Sequence, residues 1–212
     1  MKRWIVAVVL GLLTLGGGRL ANAYSLLGGE TLRVDENAIH AGIGFPDLTF
    51  SYHIPITSNF ELAPKFTFFY GGEDPRSTPF LGNTFTLVMR YAFIKGPKFN
   101  LALHVDFGFI FAYYPGGFGF GIRLGTPSVV MNYNITPKIS LVGGFLIPLA
   151  FAAYPHFFAQ IPIVFRLGGE FAFTSAINGF VLIEVGPNIY AANGGSFVGV
   201  YFRANVGVQY KF

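Results

Sequence analysis

The 212-residue chain contains no cysteine. That excludes a disulfide framework, a thiolate metal site and a cysteine nucleophile. Charge is scarce: 11% of the residues are Asp, Glu, Lys or Arg, against about 25% in an average protein. The formal net charge of +4 is not a nucleic-acid footprint. Lys2, Arg3 and Arg19 stand near the start and leave 11 basic against 10 acidic residues after them. An unbroken apolar run fit for a membrane helix is also lacking. Residues 139–165 carry no Asp, Glu, Lys or Arg and exceed the roughly 20 residues such a helix needs. Pro148, Pro155, Pro162 and Gly143-Gly144 interrupt them, and each proline removes a backbone donor. No G-x-S-x-G, H-E-x-x-H or P-loop pattern occurs.

What is present starts with a leader pattern. Lys2 and Arg3 precede an apolar stretch, Trp4 to Leu15, and Ala21-Asn22-Ala23 has the small-residue spacing of a cleavage site. The expectation is a secretory signal peptide over 1–23 and a processed chain starting at Tyr24.

Beyond it the dominant signal is a period of two, which places successive side chains on opposite faces of a strand. In residues 197–212, Val198, Val200, Phe202, Ala204, Val206, Val208, Tyr210 and Phe212 share one parity. Gly199, Tyr201, Arg203, Asn205, Gly207, Gln209 and Lys211 share the other. The same alternation runs through residues 60–70, 83–94, 100–113, 139–151 and 180–190. It slips by one at Gly125-Thr126-Pro127-Ser128, which predicts a β-bulge. Short polar turns at 55–59, 95–98, 136–138 and 174–179 recur about every 40 residues, the length of one long hairpin. A shorter first hairpin covers 38–45 and 48–54, joined by Pro46-Asp47. The pattern predicts an all-β, antiparallel up-and-down barrel of about ten strands, with eight or twelve as the neighbouring even counts.

The direction of the faces follows from their chemistry. The apolar face is bulky, whereas the other carries many glycines and all the strand charges. Turned to water, the apolar face would exceed the few hundred Å² that soluble monomers tolerate. The expectation is an apolar exterior against lipid and a polar lumen. Lys65, Arg90, Arg123, Arg166, Arg203 and Lys211 would be luminal cations, and Glu61, Asp106, Glu170 and Glu184 luminal anions. Buried charges must be paired. Glu170 and Glu184 are expected to pair with basic groups towards the short-turn end.

The closing residues Asn205-Val206-Gly207-Val208-Gln209-Tyr210-Lys211-Phe212 run polar, any, glycine, any two, aromatic, any, aromatic. This resembles the assembly signal of bacterial outer-membrane β-barrel proteins, carried here by Asn205, Gly207, Tyr210 and Phe212. The resemblance implies export, delivery by periplasmic chaperones to the barrel assembly machinery, and residence among outer-membrane lipids. It divides the chain into leader 1–23, an N-terminal periplasmic segment 24–37 and a barrel 38–212. It implies no activity.

The functional expectation is a non-enzymatic barrel with a charge-paired, largely filled lumen, serving envelope structure or surface interaction. A narrow channel for small solutes is the alternative. A barrel enzyme acting on surface peptides or lipids is the third class, with His156, Glu73-Asp74 and Ser77 on outer loops as its candidate constellation. His40, His53 and His104 fall on the luminal parity without metal-ligand spacing. No cofactor, metal or nucleic acid is expected.

Overall fold

The computed structural model describes residues 24–72, 81–114, 117–125, 128–154, 158–192 and 195–212. The leader 1–23 and the loop residues Glu73, Asp74, Ser77 and His156 lie outside them. Thirteen strands are described: β1 (Ala38–Phe45), β2 (Asp47–Pro55), β3 (Phe60–Phe69), β4 (Leu81–Lys95), β5 (Phe99–Tyr114), β6 (Gly117–Gly125), β7 (Ser128–Thr136), β8 (Ile139–Leu146), β9 (Pro148–Tyr154), β10 (Phe158–Pro162), β11 (Val164–Ala172), β12 (Ile177–Ala192) and β13 (Gly195–Lys211). All pairings are antiparallel.

These strands form a closed wall of ten, because three wall strands are each split in two. β10 and β11 meet β12 in one continuous register, from Phe158↔Ala192 to Ala172↔Asn178, with the Ile163 amide donating to the Pro187 carbonyl across the break (2.9 Å). Pro162 ends β10 and Pro148 begins β9, as expected of a residue that cannot donate to a ladder. β6 and β7 both pair with β5, but their registers differ by one between Phe107↔Leu124 and His104↔Ser128. That one-residue offset is the extra residue of a bulge. β1 pairs with β13 from Ala38↔Lys211 to Phe45↔Ala204 and closes the ring. Phe212 extends the seam by exchanging two backbone hydrogen bonds with Asn37 (2.8 and 2.9 Å). Closure leaves no sheet edge unpaired, which a wall bathed in hydrocarbon requires. The charge-free stretch 139–165 contributes to β8 through β11. Among the described residues no helix is long and apolar enough to cross a membrane.

The faces sort as chemistry demands. On β12, Ile183 is 46% exposed on the outer wall while its neighbour Glu184 is 3% exposed within. Phe85, Leu87, Phe107, Phe109, Val181, Val206 and Val208 are also exposed. Rings pack along the outside from strand to strand, as in Phe66–Phe85 (4.9 Å) and Phe145–Phe165 (5.5 Å). Two glycines show how tightly the inside is filled. A Cβ at Gly108 would strike the Phe85 carbonyl and approach the Thr86 Cα to 2.6 Å. At Gly207 it would meet the ring of Phe180, again at 2.6 Å. That ring stacks on His40 (4.5 Å) inside the lumen.

Residues 24–37 form no strand. Residues 24–32 lie within the barrel at its short-turn end, and Arg33, Val34 and Asp35 are exposed. Tyr24, Leu26 and Leu32 are buried in a cluster with Ala38, and Leu27 packs on Val142, Phe180 and Leu182.

Replacing Gly108 by valine should distort the β4–β5 seam and cost about 1–3 kcal/mol. The expected readout is a smaller fraction of the compact, heat-modifiable band on an unheated SDS gel. An unchanged fraction and unfolding midpoint would show that the close approach does not matter.

Candidate functional site

The lumen is the place where polar chemistry collects, and it has two storeys. The lower storey joins the N-terminal segment to the wall. Arg90 of β4 donates through Nη1 to the carbonyls of Leu26 (2.7 Å), Gly28 (3.1 Å) and Ser25 (3.5 Å), and through Nη2 to Glu61 Oε1 (2.6 Å). Glu61 of β3 accepts the Leu32 amide on its other oxygen (3.2 Å). From the opposite wall, Glu170 Oε1 accepts the Leu26 and Leu27 amides (3.1 Å each) and Gln209 Nε2 (2.7 Å). Asn178 Nδ2 donates to the Tyr24 carbonyl (2.6 Å), and the Gly29 amide donates to Asn132 Oδ1 (3.1 Å). The segment thus behaves as a plug whose backbone groups, lacking a ladder, are satisfied by side chains. Thr31 Oγ1 donates to the Ser58 carbonyl (2.7 Å) and the Tyr24 hydroxyl to the Ala176 carbonyl (3.1 Å), fastening it to two turns.

The upper storey is a chain of ion pairs. Arg166 Nη2 lies 2.6 Å from Glu184 Oε1, and Arg203 Nη1 lies 3.5 Å from Glu184 Oε2. Arg203 also grips Asp47, with Nε 2.9 Å from Oδ2 and Nη2 donating to Oδ1 at 2.9 Å. Thr49 Oγ1 accepts from the same Nη2 (2.7 Å). Arg123 Nε donates to Asp106 Oδ2 (2.9 Å). The row Arg166–Glu184–Arg203 crosses three adjacent strands at paired registers.

The structure thus brings Arg90, Asp106, Arg123, Arg166, Glu184 and Arg203 into ion pairs. Among the described residues it gives Glu170 no basic partner: this carboxylate serves the plug backbone and Gln209 instead. The reason is geometric, since β11 and β12 oppose Glu170 to Phe180. Lys65 faces a luminal cavity without a hydrogen bond or ion pair among the described residues. Lys211 sits at the rim, 3.1 Å from Glu36 and over the Tyr24 ring. Of the closing motif, Asn205 donates to Asp47 Oδ1 (3.3 Å) and Gly207 leaves room for Phe180. Tyr210 and Phe212 stack outside (5.6 Å).

Three features escape the sequence pattern. Asp47 is a strand residue pointing inward, not a turn residue. The plug has no periodicity. The third is a relay on the first two long strands: Ser51 Oγ lies 2.9 Å from His53 Nε2, and His53 Nδ1 lies 2.6 Å from Glu61 Oε1. The signal available was the luminal pair Ser51-x-His53 facing Glu61, but only the hairpin register unites them. His40 and His104 line the same cavity as His53. Among the described residues no cluster of His, Asp or Glu has the arrangement of a metal site.

Two groups of the plug have displaced proton affinities. Burial, with Glu170 and Glu36 adding, raises the Tyr24 hydroxyl. Burial, then the nearby Glu170, raises the Glu30 carboxyl from 4.5 to about 7, partly opposed by its bond from the Ser25 amide. The folded state therefore favours protonated Glu30. Its stabilising effect is full below about pH 4.5 and is lost as pH rises through about 7. The thermal midpoint of the folded barrel should fall between about pH 5 and about pH 8, and Glu30→Gln should flatten that fall. An equal slope in the variant would assign the dependence to another group.

No protein-family model and no curated protein matches the chain. Solved structures similar to it include the following three. The outer membrane protease OmpT from Escherichia coli aligns at a TM-score of 0.48 and 11% identity, over 87% of this chain and 100% of that one. An outer membrane channel from Pseudomonas putida F1 aligns at 0.40 and 13%, over 90% and 100%. The N-terminal β-barrel domain of Pseudomonas aeruginosa OprF aligns at 0.34 and 16%, over 84% and 96%.

Proposed function

We propose that the chain is an integral outer-membrane barrel whose lumen is stopped by its own N-terminal segment, a non-conducting body for envelope structure or surface interaction. The observation that carries this reading is the seating of residues 24–32. Charged or amide side chains from β3, β4, β7, β11 and β12 hold that backbone at the short-turn end. Ion pairs between nearby strands then line the lumen above it. An exposed exterior of Phe, Leu, Ile and Val supports the membrane setting, since the same residues facing water would associate. Tyr91, Tyr133 and Tyr210 near the turn end and Tyr70 and Tyr113 near the loop end are exposed, matching interfacial girdles. In this reading the periplasmic chaperones and the barrel assembly machinery are its partners during insertion, and Tyr210 and Phe212 present the aromatic end of the signal.

Single-channel recording in planar bilayers tests the reading. The folded protein should produce no conductance steps. Regular steps from the intact chain would overturn it in favour of a solute channel. Arg203→Ala removes the hub that joins β13 to Asp47 and Glu184. Breaking a buried pair costs about 3–5 kcal/mol. The variant should lose heat resistance and remain non-conducting.

A further inference from the structure

Three catalytic roles meet in one luminal cavity of about 60 Å³. Glu61 is bonded to Arg90, which holds it as a carboxylate, so Nδ1 of His53 carries the proton that bridges them at 2.6 Å. In the neutral ring Nε2 then presents a lone pair to Ser51 Oγ at 2.9 Å. This is the order of a nucleophile, a general base and an orienting carboxylate, at distances within hydrogen-bond reach. Lys65 is the direct cross-strand neighbour of Ser51, and its side chain lines the same cavity. The four luminal arginines each bond a carboxylate, including Asp106 and Glu184, which also face Lys65. Among the described residues no hydrogen bond or ion pair holds the Lys65 amine. An N–H donor beside a nucleophile, engaged by nothing else, is placed to meet charge as it develops on an oxygen.

We propose that Ser51, His53 and Lys65 form an acyl-transfer centre, with Glu61 as a positioning residue, acting on short-chain acyl esters. Ser51 Oγ attacks the acyl carbonyl carbon as its proton passes to His53 Nε2. Lys65 stabilises the resulting oxyanion. The carbon–oxygen bond of the ester breaks, and the alcohol leaves with the proton from His53. A water molecule, deprotonated by His53, then releases the acyl group as a carboxylic acid and restores Ser51. The size follows from the cavity. At about 10–15 Å³ per water-sized position it admits an acyl group of a few heavy atoms and no lipid chain. Leu26, Leu27, Ala63, Val88 and Leu182 supply its apolar lining. Leu26 and Leu27 belong to the plug, so the same segment that stops the barrel forms one wall of the pocket.

Methanesulfonyl fluoride is a serine-directed reagent small enough for this space. The protein folded in detergent micelles is treated with it, digested and mapped by mass spectrometry. The expected result is a sulfonyl adduct on Ser51, absent from Ser51→Ala. Labelling should slow about a hundredfold in His53→Gln and about a hundredfold in Lys65→Met, and recover in Lys65→Arg. Glu61→Gln should lose labelling and Glu61→Asp retain it, with the compact band on unheated gels confirming that each variant folds. Labelling of Ser51 no faster than that of the buried Ser140, or a rate indifferent to His53→Gln, would overturn the proposal. Neither result bears on conductance, so the sealed-barrel reading stands or falls separately.

Discussion

A wall that shows hydrocarbon side chains to its surroundings sends its ionised groups inward. That one constraint organises the molecule. The lumen of a ten-stranded ring is too narrow to hydrate ten charges as bulk water would, so the charges must satisfy one another. Arg203 does so most fully, reaching Asp47 on one side and Glu184 on the other. The Asp47 contact joins strands distant in sequence and the Glu184 contact joins the paired strands β12 and β13, so the network ties nearby wall strands together. Where no cation is in reach, as at Glu170, backbone amides of the plug take the place of a counter-charge.

The plug answers a second problem. Its residues cannot join the sheet, because the seam between β1 and β13 is already complete. Residues 24–32, with no ladder, would bring unsatisfied amides and carbonyls into a confined space. Arg90 resolves this by binding several carbonyls at once, a task suited to the many fixed donors of a guanidinium. The same residue fixes Glu61, and through Glu61 it fixes the ring of His53. Closure of the barrel end and alignment of the Ser51 relay therefore share one arginine.

Much of this was legible in the residue order, for a physical reason. A period of two is a local property, so the long alternations around Phe85, Val105 and Val206 declare their strands and faces without reference to anything distant. The turns, the ten-strand count and the slip near Pro127 are local for the same reason. The partners of Glu170, Arg203 and Tyr24 are not, because they lie 144, 156 and 152 positions away. No window of sequence contains both ends of such a contact. Asp47 was misread as a turn residue because Pro46 beside it dominates the local pattern. His53 and Glu61 were visible as luminal residues, but their union with each other and with Ser51 depends on the register of the β2–β3 hairpin.

The seating of the plug also bears on the order of assembly. Residues 24–32 leave the ribosome before any strand does, yet their partners Asn132, Glu170 and Asn178 are among the later parts of the chain. The segment cannot reach its final state until most of the wall has been laid down. Contacts of such high sequence separation are slow to form. This early segment is thus among the last parts of the barrel to come to rest, and until it does the cylinder stands open at one end.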